Sequence, residues 1–249
     1  MDIAPDDKGE HIRREICLML EQMGIRPESS HHESGPGQNE IDFRYSDPLT
    51  AADNAITFRA VVRTVAAQNG LCASFQPKPL PDRDGSGMHI NISAKGSGTE
   101  DLLPAVIAGV LAKSAEITLF LNPSEESYRR LGRDKAPRYI TWSEENRSQL
   151  IRIPAAVGEQ RRAELRSADS TANPYLAYAL LIYAGLYGIA HKLTLPPASD
   201  FNLYTASAET LRTLRALPDS LSEAIALAEA DPFVRAHLPH SVLCAFGGR

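Results

Sequence analysis

Glu33, Glu40, His89 and Glu164 are the side chains of this chain best suited to holding a metal ion. Three carboxylates with one imidazole suit magnesium or manganese better than zinc, which takes more nitrogen or sulfur. Arg130, Arg147, Arg152, Arg162 and Arg166 supply the complementary charge. A guanidinium grips phosphate and carboxylate oxygens through paired hydrogen bonds that an ammonium cannot make. Acidic groups for a cation beside arginines for anionic oxygens are what phosphoryl transfer needs, because there the protein mainly positions groups and neutralises charge. Neither GxxxxGK[ST] nor GxGxxG occurs. The segment DRDGSGMH (82–89) has two glycines that would let the backbone approach a ligand, although such a segment taken alone is more often a plain turn. Residue types alone therefore describe a metal-dependent, anion-handling enzyme.

Short alternating segments must position these side chains. QNEIDFR (38–44) sets Gln38, Glu40, Asp42 and Arg44 on one face and Ile41 and Phe43 on the other. MHINIS (88–93) groups His89, Asn91 and Ser93, and QLIRI (149–153) adds Arg152. RAELR (162–166) aligns Arg162, Glu164 and Arg166 opposite Ala163 and Leu165, and RYITW (138–142) reads as a further strand. Any one of these, read singly, is a strand with a solvated outer face. Together their polar faces hold arginines, carboxylates and a histidine with almost no lysine, and they read as the floor of a cleft. Helices are expected over 10–23, stopped by Gly24, and from the capping box Thr50–Asp53 to Gly70. A third runs over 102–121, and a fourth, apolar nearly all round and so destined for the core, from Asn173-Pro174 to Ile189.

Composition narrows the class. The 249 residues are enough for one large domain or two small ones with a sizeable core. A formal net charge of −5 argues against a general nucleic-acid binder. Cys17, Cys72 and Cys244 are widely spaced and odd in number, suggesting neither a disulfide framework nor a thiolate zinc site. The first residues are acidic and lack the apolar stretch of a signal peptide. The apolar run at 174–190, broken by tyrosines and glycines, falls short of the ~20 residues of a membrane span. A cytoplasmic protein without membrane contact is expected.

The order of the segments adds a family. HHESGPGQNEIDF (31–43), PKPLPDRDGSGMHINIS (77–93), NPSEESYRRLG (122–132), ENRSQLIRIP (145–154) and RAELRSADSTANPYLAYALLIYAGLYGI (162–189) together resemble the catalytic domain of glutamine synthetase, collinearly from Ile3 to Tyr204. The resemblance implies an α+β fold, an antiparallel sheet flanked by helices in a guanido-kinase-like architecture that is incomplete at the N-terminus, as a single catalytic domain over 1–249. It implies ATP-dependent ligation of ammonia, or another amine, to the γ-carboxylate of glutamate through γ-glutamyl phosphate, with Mg2+ or Mn2+. Carried across motif by motif, Glu33 and Glu40 match ligands of the family's first metal, and His89 and Glu164 those of its second. Arg130 and Arg166 match arginines that hold glutamate, with Gly85 on the loop that contacts it. Arg147 and Arg152 match residues facing the transferred phosphate and ATP; Arg162, Tyr45 and Ser93 match nucleotide contacts. Arg130 and Arg147 are the catalytic candidates.

This sequence also departs from the family pattern. The E-x-E strand that gives each metal a third carboxylate has no counterpart in these residues. Lys135 stands where the family's flap carries a glutamate that helps deprotonate ammonium, and Asp84 stands where asparagine is common. These departures motivate an alternative: a catalytically impaired homologue or fragment serving as a nucleotide-binding, assembly or regulatory partner. The expected partners are glutamate and ammonia, and either further copies of the chain or another chain supplying the N-terminal part.

Overall fold

The computed structural model describes residues 7–96, 98, 100–155 and 161–247. The chain divides into two units, one of Met1–Phe75 with Pro79–Ser86 and one of Gln76–Lys78 with Gly87–Arg249.

In the first unit, Ile12, Ile16 and Leu20 form the buried stripe of α1 (Glu10–Gln22), which ends before Gly24 at φ +83°. Met23, the last residue of the helix expected over 10–23, lies past the helix end and is 55% exposed. β1 (Pro27–His32) and β2 (Asn39–Phe43) pair antiparallel, with His31 opposite Glu40 and Ser29 opposite Asp42. α2 (Pro48–Gln68) starts earlier than the expected Thr50–Asp53 box. Asp47 caps it by accepting from the Thr50 N–H at 3.1 Å, and Pro48 fills the first turn, where no N–H is needed. Val61 and Val65 of α2 pack on the α1 stripe. Arg13 of α1 is buried and ties the unit together. Its guanidinium donates to Ser30 Oγ (3.1 Å), Asn39 Oδ1 (2.6 Å) and both oxygens of Asp7 (3.1 and 2.5 Å), reaching β1, β2 and the preceding turn.

The second unit is helices packed on a four-stranded sheet. Its elements are β3 (Ile90–Ile92), α3 (Leu103–Leu121), α4 (Glu125–Arg130), β4 (Trp142–Ser143), β5 (Ile151–Arg152), β6 (Ala163–Leu165), α5 (Pro174–Ala190), α6 (Ala208–Arg212), α7 (Leu221–Ala230), α8 (Pro232–His237) and α9 (His240–Gly247). The strand order is β3-β6-β5-β4. β6 is antiparallel to β3 and β5, while β4 lies parallel to β5, so the expected antiparallel sheet has one parallel edge. The expected strand 138–142 contributes only Trp142 to the sheet. Its earlier residues pair instead with 215–217, through Ile140 N–H to the Arg215 carbonyl (2.8 Å) and Leu217 N–H to the Arg138 carbonyl (2.9 Å).

The two helices expected over 102–121 and from Asn173-Pro174 to Ile189 appear where the sequence places them. Asn173 caps α5 by accepting from the Tyr175 N–H at 3.0 Å. α3 is long and apolar enough by length and composition to cross a membrane, yet 72% of it is buried inside the unit, where it packs on α5 and α7. The α3–α5 crossing is close because Gly109 meets Gly188. A Cβ at Gly109 would collide with the Ala184 carbonyl, and one at Gly188 with the Ala105 carbonyl. Both obstacles are helix backbone, which cannot swing away. Gly188→Ala is expected to lower stability by about 1–3 kcal/mol through overpacking, read as a shifted guanidinium denaturation midpoint. Gly98→Ala, at a glycine with open space around it, serves as the unaffected control. Equal midpoints for the two variants would contradict this packing.

Candidate active site

The expected site residues divide between the two units, and each unit builds its own constellation. In the first, strand pairing sets the geometry. Side chains two apart on one strand, or directly opposite across a pair, share a face. His31 therefore sits beside Glu40, with Asp42 next along β2 and Ser29 across from it. His31, Glu40 and Asp42 each offer a ligand atom, all within 4.8 Å of one another. Glu33 continues β1, held by its N–H to the Gln38 carbonyl (2.8 Å), and its carboxylate is 3.6 Å from His31 Nδ1. Burial, then the charges of Asp42 and Glu33, raise the Glu40 carboxyl to about 7. Crowded carboxylates with an imidazole are a donor set that fits a hard divalent cation, whose charge would relieve that repulsion. Glu33 and Glu40 were expected here. His31 and Asp42 were not, although Asp42 shares the face of Glu40 in the sequence pattern.

The other expected residues of this unit lie around the hairpin or on its flank. Gln38 Nε2 donates to the Gly85 carbonyl (3.0 Å) and to Ser86 Oγ (3.3 Å), pinning the glycine loop to the hairpin. Tyr45 is 70% exposed, with the Arg44 guanidinium 5.8 Å from its ring centre, so its aromatic face is open to a flat ligand.

In the second unit, β6 brings Glu164 to the centre of the sheet. The alternation in RAELR predicts a polar and an apolar face, but Ala163, Glu164 and Leu165 are all buried. The Glu164 carboxylate is correspondingly well held. Arg152 Nε donates to Oε2 at 2.7 Å, while Oε1 takes Arg166 at 3.0 Å and lies 3.1 Å from His89 Nδ1. The register explains the meeting, because Arg152 lies opposite Glu164 across the β5–β6 pair and Asn91 opposite Glu164 across β3–β6. Burial alone would raise the Glu164 carboxyl; His89 and the two arginines overcome it and hold the group at about 2. Crowding by protein lowers the proton affinity of His89. An ionised carboxylate beside an uncharged imidazole are the protonation states a divalent cation requires, and a cation bound by both would replace their mutual contact.

Arg130 ends α4 and is fully inside the unit. Nη1 donates to the Ser167 carbonyl (2.8 Å), and Nη2 to those of Arg166 (3.3 Å) and Ala168 (3.1 Å). Burial brings its guanidinium down to about 10, still charged at neutral pH. Gly87 must be glycine for this arrangement, since a Cβ there would lie 2.7 Å from Arg130 Nη2. Met88 N–H then bonds the Ala168 carbonyl (2.9 Å), so GSGMH and the segment after β6 are laced together. Arg166 Nε donates to the Arg147 carbonyl (3.1 Å), which also accepts from the Tyr204 hydroxyl (3.3 Å). Arg147 itself is exposed, as is Ser93, and Arg162 Nε donates to Asn91 Oδ1 (3.2 Å). In the flap-like loop, Asp134 at φ +53° accepts from the buried Lys78 ammonium at 2.7 Å. Tyr204 and Lys78 join the unit's polar set without having been expected.

The fold is α+β, and its side chains gather carboxylates suited to cations and guanidiniums suited to anionic oxygens. Residues 1–247 match the family described as glutamine synthetase, catalytic domain, and the chain belongs to that family. It is 44% identical over 239 residues to glutamine synthetase of Staphylococcus aureus (strain MW2), covering 90% of this chain and 54% of that protein. The Staphylococcus epidermidis glutamine synthetase matches to the same extent, 44% over 239 residues. Among solved structures, "GmaS/ADP complex-Conformation 1" superposes with a TM-score of 0.86 at 30% identity, covering 97% of this chain and 59% of that one. "Apo GmaS without ligand" gives 0.83 at 30%, covering 97% and 58%. The chain spans about half the length of the curated relatives it matches.

The raised Glu40 carboxyl has a definite pH signature. The folded chain holds this proton more tightly than the unfolded chain, so stability is lost as pH climbs from the ordinary value of 4.5 to about 7. Glu40→Gln removes that loss. The melting temperature should rise at pH 8 by about 2–4 °C, the shift roughly 1 kcal/mol gives a chain of this size, and stay unchanged at pH 4.5. A variant no more stable than the parent at pH 8 would show the carboxylates are not crowded.

Proposed function

We propose that this chain carries the nucleotide- and glutamate-handling part of an ATP-dependent ligase that joins ammonia, or another amine, to the γ-carboxylate of glutamate through γ-glutamyl phosphate. The observation that carries the reading is the buried Glu164 carboxylate shared by His89, Arg152 and Arg166, in a member of the glutamine synthetase catalytic-domain family.

The chain's own residues divide the work. Arg166 is oriented from two sides, by the Arg147 carbonyl and by Glu164, which leaves the rest of its fork to receive a substrate carboxylate. Arg130 holds the backbone from which Arg166 projects and faces glutamate with it. Arg152 and the exposed Arg147 take the phosphate oxygens, and Arg162, Ser93 and Tyr45 take the nucleotide. A preset guanidinium array spends no energy reorganising as charge moves from phosphate to leaving group. Divalent ions, Mg2+ or Mn2+, at Glu33 and Glu40 and at His89 and Glu164 supply the positive charge that offsets the phosphates. These 249 residues hold no E-x-E, so in this reading the family's E-x-E carboxylates are supplied by a partner chain.

One observation favours a second reading, a nucleotide-binding partner without ligation. Asp134, the acid nearest the family's flap glutamate, is engaged by Lys78, and Lys135 follows it. A cation there repels ammonium. A single assay separates the two readings. The chain is incubated with ATP, glutamate, ammonium and Mn2+ or Mg2+, and phosphate release is followed. Ligation predicts release that requires all four and falls about 100-fold or more in Glu164→Ala. ADP binding without any phosphate release at saturating metal would establish the second reading for this chain alone.

A further inference from the structure

Among the described residues of the second unit, five polar side-chain atoms are buried without a protein partner: Glu116 Oε2, whose carboxylate pairs with Arg215 through its other oxygen, and four on three further residues, Oδ1 and Nδ2 of Asn122, the Tyr128 hydroxyl and Oδ2 of Asp169. Asn122 and Asp169 are wholly buried, at 0% exposure. Groups of this kind are rare in folded proteins and each demands a partner.

All three residues belong to one junction. Asn122 is the C-cap of α3, and the Asp169 N–H donates to the Leu121 carbonyl at 3.1 Å, which sets the segment after β6 against the end of that helix. Tyr128 lies on α4, whose Arg130 binds the carbonyls of Arg166, Ser167 and Ala168 in the same segment. Burial, then the charge of Asp169, raise the Tyr128 phenol. Oδ1 of Asp169 is occupied by the Thr171 N–H (2.8 Å) and hydroxyl (2.5 Å), while Oδ2 is buried with no partner.

Arg130 supplies the reason for a charge there. Arg130 is 3% exposed, and its three hydrogen bonds all end on uncharged carbonyls. A buried cation needs a counter-charge. Asp169 is the first charge acting on it, in the sense that keeps it protonated, yet the two form no direct ion pair among the described residues.

We propose that Asn122, Tyr128 and Asp169 enclose an internal water that links the Asp169 carboxylate to this junction, and that the network positions Arg130 and the backbone of 166–168. The polar inventory selects water. An amide N–H, an amide oxygen, a phenol that donates or accepts and a carboxylate oxygen match both the donors and the acceptors of a water molecule. A bare cation would face the Asn122 N–H groups with like charge. Its bearing on ligation rests on the reading above, because Arg130 and Arg166 are the glutamate-binding residues there; the network itself does not.

The test reads the network without activity. A crystal structure of the full chain should show an ordered water within about 3.2 Å of Asp169 Oδ2 and of Tyr128 or Asn122. Nitrogen-15 NMR should show the Arg130 guanidinium protons exchanging with solvent about 10-fold faster in Asp169→Asn than in the parent, and to a lesser degree in Tyr128→Phe. Exchange at Arg13, in the other unit, should not change. No water at Asp169 Oδ2, or unaltered Arg130 exchange in Asp169→Asn, overturns the proposal. Should Asp169→Asn fail to fold, Tyr128→Phe decides by the same two readouts. A chain that shows the water and the faster exchange but no ligation would refute only the ligase reading.

Discussion

The second unit is organised around one buried carboxylate. Glu164 is 7% exposed, a position at which an unpartnered carboxyl would take up a proton. Two guanidiniums and an imidazole keep it ionised, and each comes from a different place in the chain: Arg152 from β5, Arg166 from just past β6 and His89 from just before β3. The requirement runs in both directions. Glu164 needs these donors to remain charged, and the two guanidiniums need Glu164 to be held at fixed positions rather than spread over solvent. A sheet of strands two and three residues long could not fix its arginines by backbone pairing alone.

Arg130 extends that order from the sheet to the helices. Charge-assisted bonds to three successive carbonyls define the path of 166–168, and with it the origin of the Arg166 side chain. Gly87 makes room for the guanidinium, and Met88 closes the lattice on the other side. Arginine is the only side chain with enough donors in one plane to do this, so Arg130→Lys is not a conservative change. The first unit repeats the device with Arg13, whose fork joins a helix, a hairpin and a turn. In both units buried arginine sets geometry and carboxylates set charge.

Much of this was legible in the sequence. α1, α3 and α5 follow from apolar spacing and from punctuation at Gly24, Asn122 and Asn173, because helix signals are local. The Asp47-Pro48 start of α2 is an equally local signal, and a stronger one than the box at Thr50. The alternation of 38–44 and 162–166 put Glu40 and Glu164 on strands, and they lie in β2 and β6. What it could not supply was the identity of each strand's neighbour. His31 meets Glu40 only through a pairing register, and a one-residue slip would turn that face over. Similarly, 138–141 has the pattern of a strand, and only the competing partner at 215–217 keeps it out of the sheet. Alternation also misjudged β6, whose polar face is as buried as its apolar one, since burial of a charge depends on partners far away in sequence. The junction of Asn122, Tyr128 and Asp169 is not legible in the sequence, where Asn122 marks only a helix end; the three are distinguished by buried polar atoms without a partner.

The direct test of the central carboxylate is its own titration. With carbon-13 in the glutamate side chains and Glu164→Gln to assign the signal, the Glu164 carboxyl resonance can be followed from pH 7 downward. The account predicts that it stays at its ionised position through the range where ordinary glutamates titrate, in keeping with a value of about 2, until acid unfolds the chain. A titration centred between about pH 4 and 5 in the folded protein would mean that His89, Arg152 and Arg166 do not hold this group, and would contradict the account.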